Sequence, residues 1–513
     1  MKPAFNRLSR RQFLVGSGGT LLALPLLPSL LPREARAATE AAAAAERYFV
    51  HMTTWHGVFQ SQFYGPLLSA TPADRVSAGG IEVRRAALAA RSEGSQTVIS
   101  DILRASPAAL SPRMLSRMNV INGLDYHTSV GHNRGFSLGG DNANPTIDQV
   151  MAASGSFYPT RPRQGAIVRN LVSLSRAGNG TVASEQTAES NVKLFDRLFG
   201  GAGTGGGGGG GTGGGGSGGG GAPANERVVL VDRVKQHADA VMADPECSQE
   251  CRSRLSNYMD LLNDIESKLP PVGSAPAPAP MPSNFTRPTQ DTAAIERSSG
   301  FYGQPPRQAE CEKLWNDIVV AAFAAGISRV YVCGPHAYTF GPDPEHAWHN
   351  NYAHALDDPA RRDGFNAAVQ LQFEGALLDI ANKMDQIGTA DGRTLFDKAL
   401  LATAFELGSG GNPGHHHNRC IPVVSLGDAG GYFRTGQYLD YRDLNSFAWS
   451  SNPRWQSGLI YNQWMGMVLR SMGVAASEVD TSFWGYPRVR GPNGDHTDAI
   501  WNVTGRDLPW LRA

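Results

Sequence analysis

Two apolar runs of strand length, Ala399–Phe405 and Ile421–Leu426, flank a segment built from glycine and ligand-type side chains, Glu406-Leu-Gly-Ser-Gly-Gly-Asn-Pro-Gly-His-His-His-Asn-Arg-Cys420. Apolar runs this short, bounded by Gly and Pro, are core strands rather than helices. A chain with such runs must bury them in a sheet covered on both faces. Loops leaving the carboxyl ends of strands in open α/β sheets form the crevice where ligands bind. Glu406 at a strand end, followed by His415, His416 and His417, therefore marks a candidate site.

The rest of the chain repeats the strand, loop, helix order. Residues 47–54 predict a buried strand that runs into Trp55-His56, and residues 118–121 a second one feeding Asn122-Gly-Leu-Asp-Tyr-His127. Residues 84–103 predict a helix. Thr146-Ile-Asp-Gln149 has the form of a capping box and predicts a helix through Ala153. Residues 311–325 predict a helix, 328–333 a strand, 369–387 a helix and 461–472 a last helix, followed by an irregular tail from Trp484. This alternation predicts an α/β fold with a mostly parallel sheet between helices.

Between residues 200 and 221 eighteen of twenty-two are glycine, which leaves no side chains to bury, so 200–225 predicts a flexible linker. Beyond it, apolar residues at spacings of three and four predict an inserted helical hairpin over 226–269, followed by a Pro-rich linker over 270–308. The core is thus expected in two parts, 38–199 and 309–513.

Ser9-Arg10-Arg11-Gln12-Phe13-Leu14, an apolar stretch at 15–31 and Ala35-Arg36-Ala37 make 1–37 a twin-arginine signal peptide, read by the twin-arginine export machinery. Glycine and proline interrupt the apolar stretch, and no transmembrane segment is expected after signal removal. The mature protein is then periplasmic or secreted. The leader takes six of the 46 basic residues and one of the 46 acidic ones, leaving 40 against 45. That balance speaks against nucleic acid or an anionic membrane as partner. A small molecule or a cell-envelope ligand is the expected partner class. Five cysteines, Cys247, Cys251, Cys311, Cys333 and Cys420, leave at least one thiol unpaired in a monomer.

Eleven of the thirteen histidines fall in four places: His51 and His56; His127 and His132; His336, His346, His349 and His354; His415 to His417. Each lies in or just past a predicted strand. Imidazole and carboxylate together suit zinc or a similar divalent metal, with Glu406, His415, His417, His127 and His349 as the expected ligands. Asp125, Glu345 and Glu406 are the carboxylates nearest these clusters in sequence. Gly135-Phe-Ser-Leu-Gly139 matches the Gly-x-Ser-x-Gly elbow, with Ser137 at the nucleophile position, but its flanks read as loop rather than strand and helix. Thr146, at a helix start, is the candidate hydroxyl nucleophile, and capping explains it equally well.

The twin-arginine start, Asn122-Gly-Leu-Asp-Tyr-His127, Pro145-Thr-Ile-Asp-Gln-Val150, Leu194-Phe-Asp-Arg-Leu-Phe-Gly200, the helical hairpin, and Glu406-Leu-Gly-Ser-Gly-Gly-Asn followed by His and Ile421-Pro occur in an order that resembles an uncharacterised family of exported bacterial proteins, domain of unknown function fifteen-fifty-two. That family looks like a distant relative of the alkaline phosphatase and sulfatase superfamily. The resemblance implies an α/β/α core with divalent metals at the strand ends and a hydroxyl nucleophile at a helix start, attacking phosphate or sulfate esters. Where such hydrolases carry an Asp-His pair at a strand end, this chain has Glu406-Leu407, and its first strand ends in Thr-Thr-Trp-His rather than in paired aspartates. The implied activity is metal-dependent ester hydrolysis; the alternative is a non-catalytic binding or assembly protein on the same scaffold.

Overall fold

The computed structural model describes residues 46–54, 74–78, 81–126, 136–140, 145–159, 162, 164–169, 184–187, 190–199, 285–296, 304–334, 358–389, 391–408, 419–443, 458–479, 489–491, 494–496 and 507–513. The chain divides into two units, one of residues 42–198 with 280–513 and the other of 1–41 with 199–279. The leader, the glycine run, the hairpin at 226–269, Cys247 and Cys251 lie outside the described residues.

The strands in chain order are β1 (Tyr48–Thr54), β2 (Asp74–Ala78), β3 (Ile81–Ala87), β4 (Arg91–Glu93), β5 (Gln96–Val98), β6 (Arg104–Ala105), β7 (Met118–Asp125), β8 (Ala166–Arg169), β9 (Ser184–Thr187), β10 (Val330–Cys333), β11 (Ala399–Phe405), β12 (Ile421–Leu426), β13 (Gln437–Asp440), β14 (Leu459–Ile460), β15 (Val489–Gly491) and β16 (Gly494–His496). The helices are α1 (Pro112–Ser116), α2 (Ile147–Ala153), α3 (Asn191–Phe199), α4 (Thr292–Glu296), α5 (Pro305–Ala324), α6 (Pro359–Gln372), α7 (Asp379–Asp385) and α8 (Tyr461–Ser471), with a π-helical turn Phe373–Leu378 between α6 and α7.

One large sheet carries the order β2-β3-β13-β7-β12-β11-β1-β10-β8-β9, and β14 pairs with β7 outside that path. The two runs that anchor the sequence reading form β11 and β12, all but one of their residues buried. Their relation is antiparallel, and β12 is antiparallel to β7 as well, so the sheet is mixed, with parallel pairings between β1, β10, β11 and β8 and between β7, β13 and β14. The cause is local. A parallel neighbour needs a crossover of a dozen or more residues, usually a helix, whereas 406–420 carries no helical stripe.

Pro422 explains a second irregularity. It cannot donate to the ladder, and the pairing with β7 shifts register between Ile421 and Val423. Opposite that break sits Gly123 at φ 83°, where a Cβ would collide with the backbone of Tyr441 and Arg442. Only glycine fits this left-handed, closely approached position.

Residues 84–103 are not the expected helix. Ile81 and Val83 are buried while Glu82 between them is exposed, the period of a strand, and β3 pairs with both β2 and β13. Pairing on both edges overrides the helical propensity of the alanines. β4, β5 and β6 form a separate small sheet, with Gly94 at φ 58° in the turn between β4 and β5. The tail past Trp484 holds a short hairpin, β15 with β16, rather than being wholly irregular.

Layers cover both faces. The Tyr48 ring lies 5.4 Å from Phe323 of α5, on one side of β1. Phe49, pointing the other way, belongs to a core that includes Ile147, Val150 and Met151 of α2 and Trp464, Met465 and Val468 of α8. Each face buries apolar side chains from strand and helix together, the main source of stability in such a fold. No helix among the described residues is long and apolar enough to cross a membrane.

Candidate functional site

Strand directions place the site. β1 is parallel to β10 and β11, β10 to β8, and β7 to β13 and β14; β12 reverses between β11 and β7. The carboxyl ends of β1, β7, β8, β10, β11, β13 and β14 therefore share one edge with the amino end of β12. Thr54, Asp125, Arg169, Cys333, Glu406, Cys420 and Asp440 are brought to that edge.

From the same edge the sequence continues into each histidine cluster: from Thr54 to His56, from Tyr126 to His127 and His132, from Gly334 to His336, His346, His349 and His354, and from Gly408 to His415, His416 and His417. His127, His349, His415 and His417 lie outside the described residues, as do His56 and Glu345. Of the five expected ligands, Glu406 is described. Its side chain is buried directly after β11, and its backbone N–H donates to Thr54 O at 2.7 Å, carrying the ladder one residue past the strand. One carboxylate with imidazoles is a donor set that suits zinc or a related ion. Among the described residues no three His, Cys, Asp or Glu side chains converge on a common centre.

Asp125 does different work from that expected of a ligand. Its Oδ1 accepts from Cys420 N at 2.7 Å and its Oδ2 from Gly458 N at 3.0 Å, so one buried carboxylate ties the end of β7 to the start of β12 and to the chain entering β14. Beside it the Tyr126 hydroxyl donates to Phe405 O at 2.5 Å, reaching across β12 to the end of β11. Burial, then Tyr461, then Glu406 hold the Tyr126 phenol well above its ordinary range. The edge is thus fastened by a neutral tyrosine and a buried aspartate before any ligand is considered.

Thr146 caps α2, which begins at Ile147 and ends at Ala153 as the sequence predicts. Its N–H donates to Gln149 Oε1 at 3.0 Å, and its Oγ1 donates to Asp148 Oδ1 at 2.6 Å; all three residues are buried. Ser137 sits in a single 3₁₀ turn, Phe136–Leu138, not on a strand-to-helix elbow. Its Oγ pairs with Thr53 Oγ1 at 2.8 Å and its carbonyl accepts from Tyr461 Oη at 2.7 Å, so it joins β1 to α8.

His51, expected with the edge histidines, lies inside β1 instead. It is fully buried, stacks against Phe49 with ring centroids 6.2 Å apart, and neither ring nitrogen has a hydrogen-bond partner among the described residues. Burial pushes its imidazole down to about 3, which keeps it neutral. At the end of β8, Arg169 forms a buried ion pair with Glu312 of α5 and lies 4.9 Å over the Trp315 ring. Cys311, Cys333 and Cys420 are buried, and burial raises Cys311 and Cys333 to about 12, far from reactive thiolates.

Sequence reasoning did not single out Arg84, Arg442 and Asp440, which cluster where β3, β13 and the edge meet. Arg442 Nε and Nη2 each donate to Asp440, both at 2.8 Å, and Arg84 Nη2 lies 3.5 Å from the same carboxylate. Asp440-Tyr-Arg442 gives no local signal for this, since the third member comes from 356 residues earlier in the chain.

In comparisons with known proteins, no family model, curated protein or solved structure matches the chain.

Proposed function

We propose that the protein is an exported metal-dependent hydrolase of phosphate or sulfate esters, on a core like that of the alkaline phosphatase and sulfatase superfamily. The observation that supports this reading is the shared edge: the strand ends that precede His56, His127, His336 and His415 all face the same way, and Glu406 is buried among them. Glu406, His415 and His417, with His127 or His349, would hold the ion. When bound, a divalent metal supplies Lewis-acid stabilisation of the charge that develops on the ester oxygens.

The protein's own groups set the surroundings. Glu406 contributes its carboxylate from a buried position, where electrostatic interactions are stronger than in water. Tyr126 stays protonated and holds the end of β11 in place. Thr146 is the hydroxyl assigned to attack; its proton would pass to Asp148 as the bond from Oγ to phosphorus or sulfur forms, the ester alcohol would depart with the P–O or S–O bonding pair and take a proton from solvent, and water would then cleave the Thr146 ester to release phosphate or sulfate. A screen of aryl phosphate and sulfate esters, with and without chelator, tests the reading. Chelator-sensitive turnover that Thr146→Val abolishes is expected, and turnover indifferent to both chelator and Thr146→Val would refute it.

One observation favours the second reading, a binding or assembly protein without catalysis. The Thr146 hydroxyl and both Asp125 oxygens are already engaged in joining elements of the fold. Natively exported protein that binds no metal and turns over no ester would decide for it.

A further inference from the structure

We infer that a single water molecule binds inside the protein between Gln372, the last residue of α6, and the hydroxyls of Thr54 and Thr403 on β1 and β11. The registers Met52↔Thr403 and Thr54↔Phe405 put these two threonines on one face of the sheet. Facing them, Val369, Phe373 and Leu377 recur every fourth residue from α6 into the π-helical turn, with Gln372 beside them. The two surfaces enclose a small cavity that Gln372, Thr54 and Thr403 all line.

Gln372 is the costly group of this interface. It is 3% exposed, and neither its amide nitrogen nor its amide oxygen has a hydrogen-bond partner among the described residues. Burying a donor and an acceptor in this way forfeits the hydration of both. Across the cavity the Thr54 and Thr403 hydroxyls share one bond of 3.4 Å, against roughly 2.7–2.8 Å for an ordinary O–H···O contact, so each has capacity left to donate or accept. The cavity admits the centre of a water molecule over about 10 Å³, which is room for one. An amide and two hydroxyls supply the roughly three polar partners that a buried water takes. No described residue lining the cavity ionises, so an ion would lose its hydration there without a countercharge, and the occupant is neutral. Held at this point, the water ties the end of α6 to the strand end where Glu406 N–H donates to Thr54 O at 2.7 Å.

The sign of one substitution tests the inference. Gln372→Met keeps the length of the side chain and removes both polar functions. With a dry amide the change relieves a desolvation penalty and raises the thermal midpoint; with a hydrated one it discards the bonds to the water and lowers it. In the full-length protein the midpoint should fall by on the order of 1–3 °C in Gln372→Met and likewise in Thr54→Val. Because both side chains hold the same water, the double variant should fall no further than the larger single one. A high-resolution crystal structure should show one density peak within hydrogen-bond reach of Gln372 and of either hydroxyl. A midpoint unchanged or raised in Gln372→Met, additive losses in the double variant, or no such peak would each overturn the inference.

Discussion

Replacing His51 should change how stability depends on acid, and the size of the change follows from its surroundings. The imidazole is fully buried in β1, and burial takes it from 6.5 to about 3 in the folded protein. Above pH 6.5 both folded and unfolded chains carry it neutral, so it adds no pH dependence there. Below 6.5 the unfolded chain takes up a proton that the native chain refuses. Stability therefore falls with pH down to about 3, at roughly 1.4 kcal/mol per pH unit from this one group. Between pH 7.5 and pH 4.5 the accumulated loss is about 3 kcal/mol. His51→Leu removes that term. It also removes a buried polar ring whose nitrogens have no partner among the described residues, so at pH 7.5 the variant should match the native protein or exceed it by roughly 1 kcal/mol. Urea unfolding of both proteins at pH 7.5, 6.5, 5.5 and 4.5 is the assay, and the native-minus-variant difference is the quantity to plot. A difference that grows steadily below pH 6.5 is expected. Parallel curves from 7.5 to 4.5 would mean that the ring is hydrated or protonated in the native state, and the reasoning would fail.

Two further substitutions probe the fastening of the fold. Glu312→Gln leaves Arg169 charged, buried and without its carboxylate, and should cost about 3–5 kcal/mol in chemical denaturation; a loss under 1 kcal/mol would show that the guanidinium is not desolvated. Asp125→Asn turns one of two acceptor oxygens into a donor facing a backbone N–H of Cys420 or Gly458, and should cost roughly 1–3 kcal/mol. Amide hydrogen exchange should quicken at Cys420 and Gly458 in that variant, and unchanged protection there would remove the clasp from the account.

Much of the architecture was legible in single elements. β11 and β12 coincide with the apolar runs that define them, and α2 begins and ends where the capping box and its apolar residues say. Strand direction was not legible, because it depends on whether the connecting segment holds a crossover helix, and the antiparallel β12 is set by a loop whose composition speaks of ligands rather than topology. The alanine-rich stretch after Arg84 shows the opposite failure. Its local propensity is helical, and pairing with residues more than three hundred positions away makes its first part a strand. At the candidate site, the sequence placed Glu406 directly after β11, since residue type at a strand end is a local property. It gave no warning that Asp125 bonds to Cys420 and Gly458, or that His51 points into the core, because a carboxylate or imidazole looks the same in sequence whether it faces a ligand or its own backbone.

The proposed gathering of metal ligands at the carboxyl edge is tested most directly by the metal content of protein recovered from the proposed export route. Elemental analysis should find a stoichiometric transition metal in the native sequence, strongly reduced in Glu406→Gln and in a His415→Ala, His417→Ala double variant that unfolds at the same urea concentration as metal-stripped native protein. Native protein without stoichiometric metal, or Glu406→Gln retaining the full amount, would contradict the account.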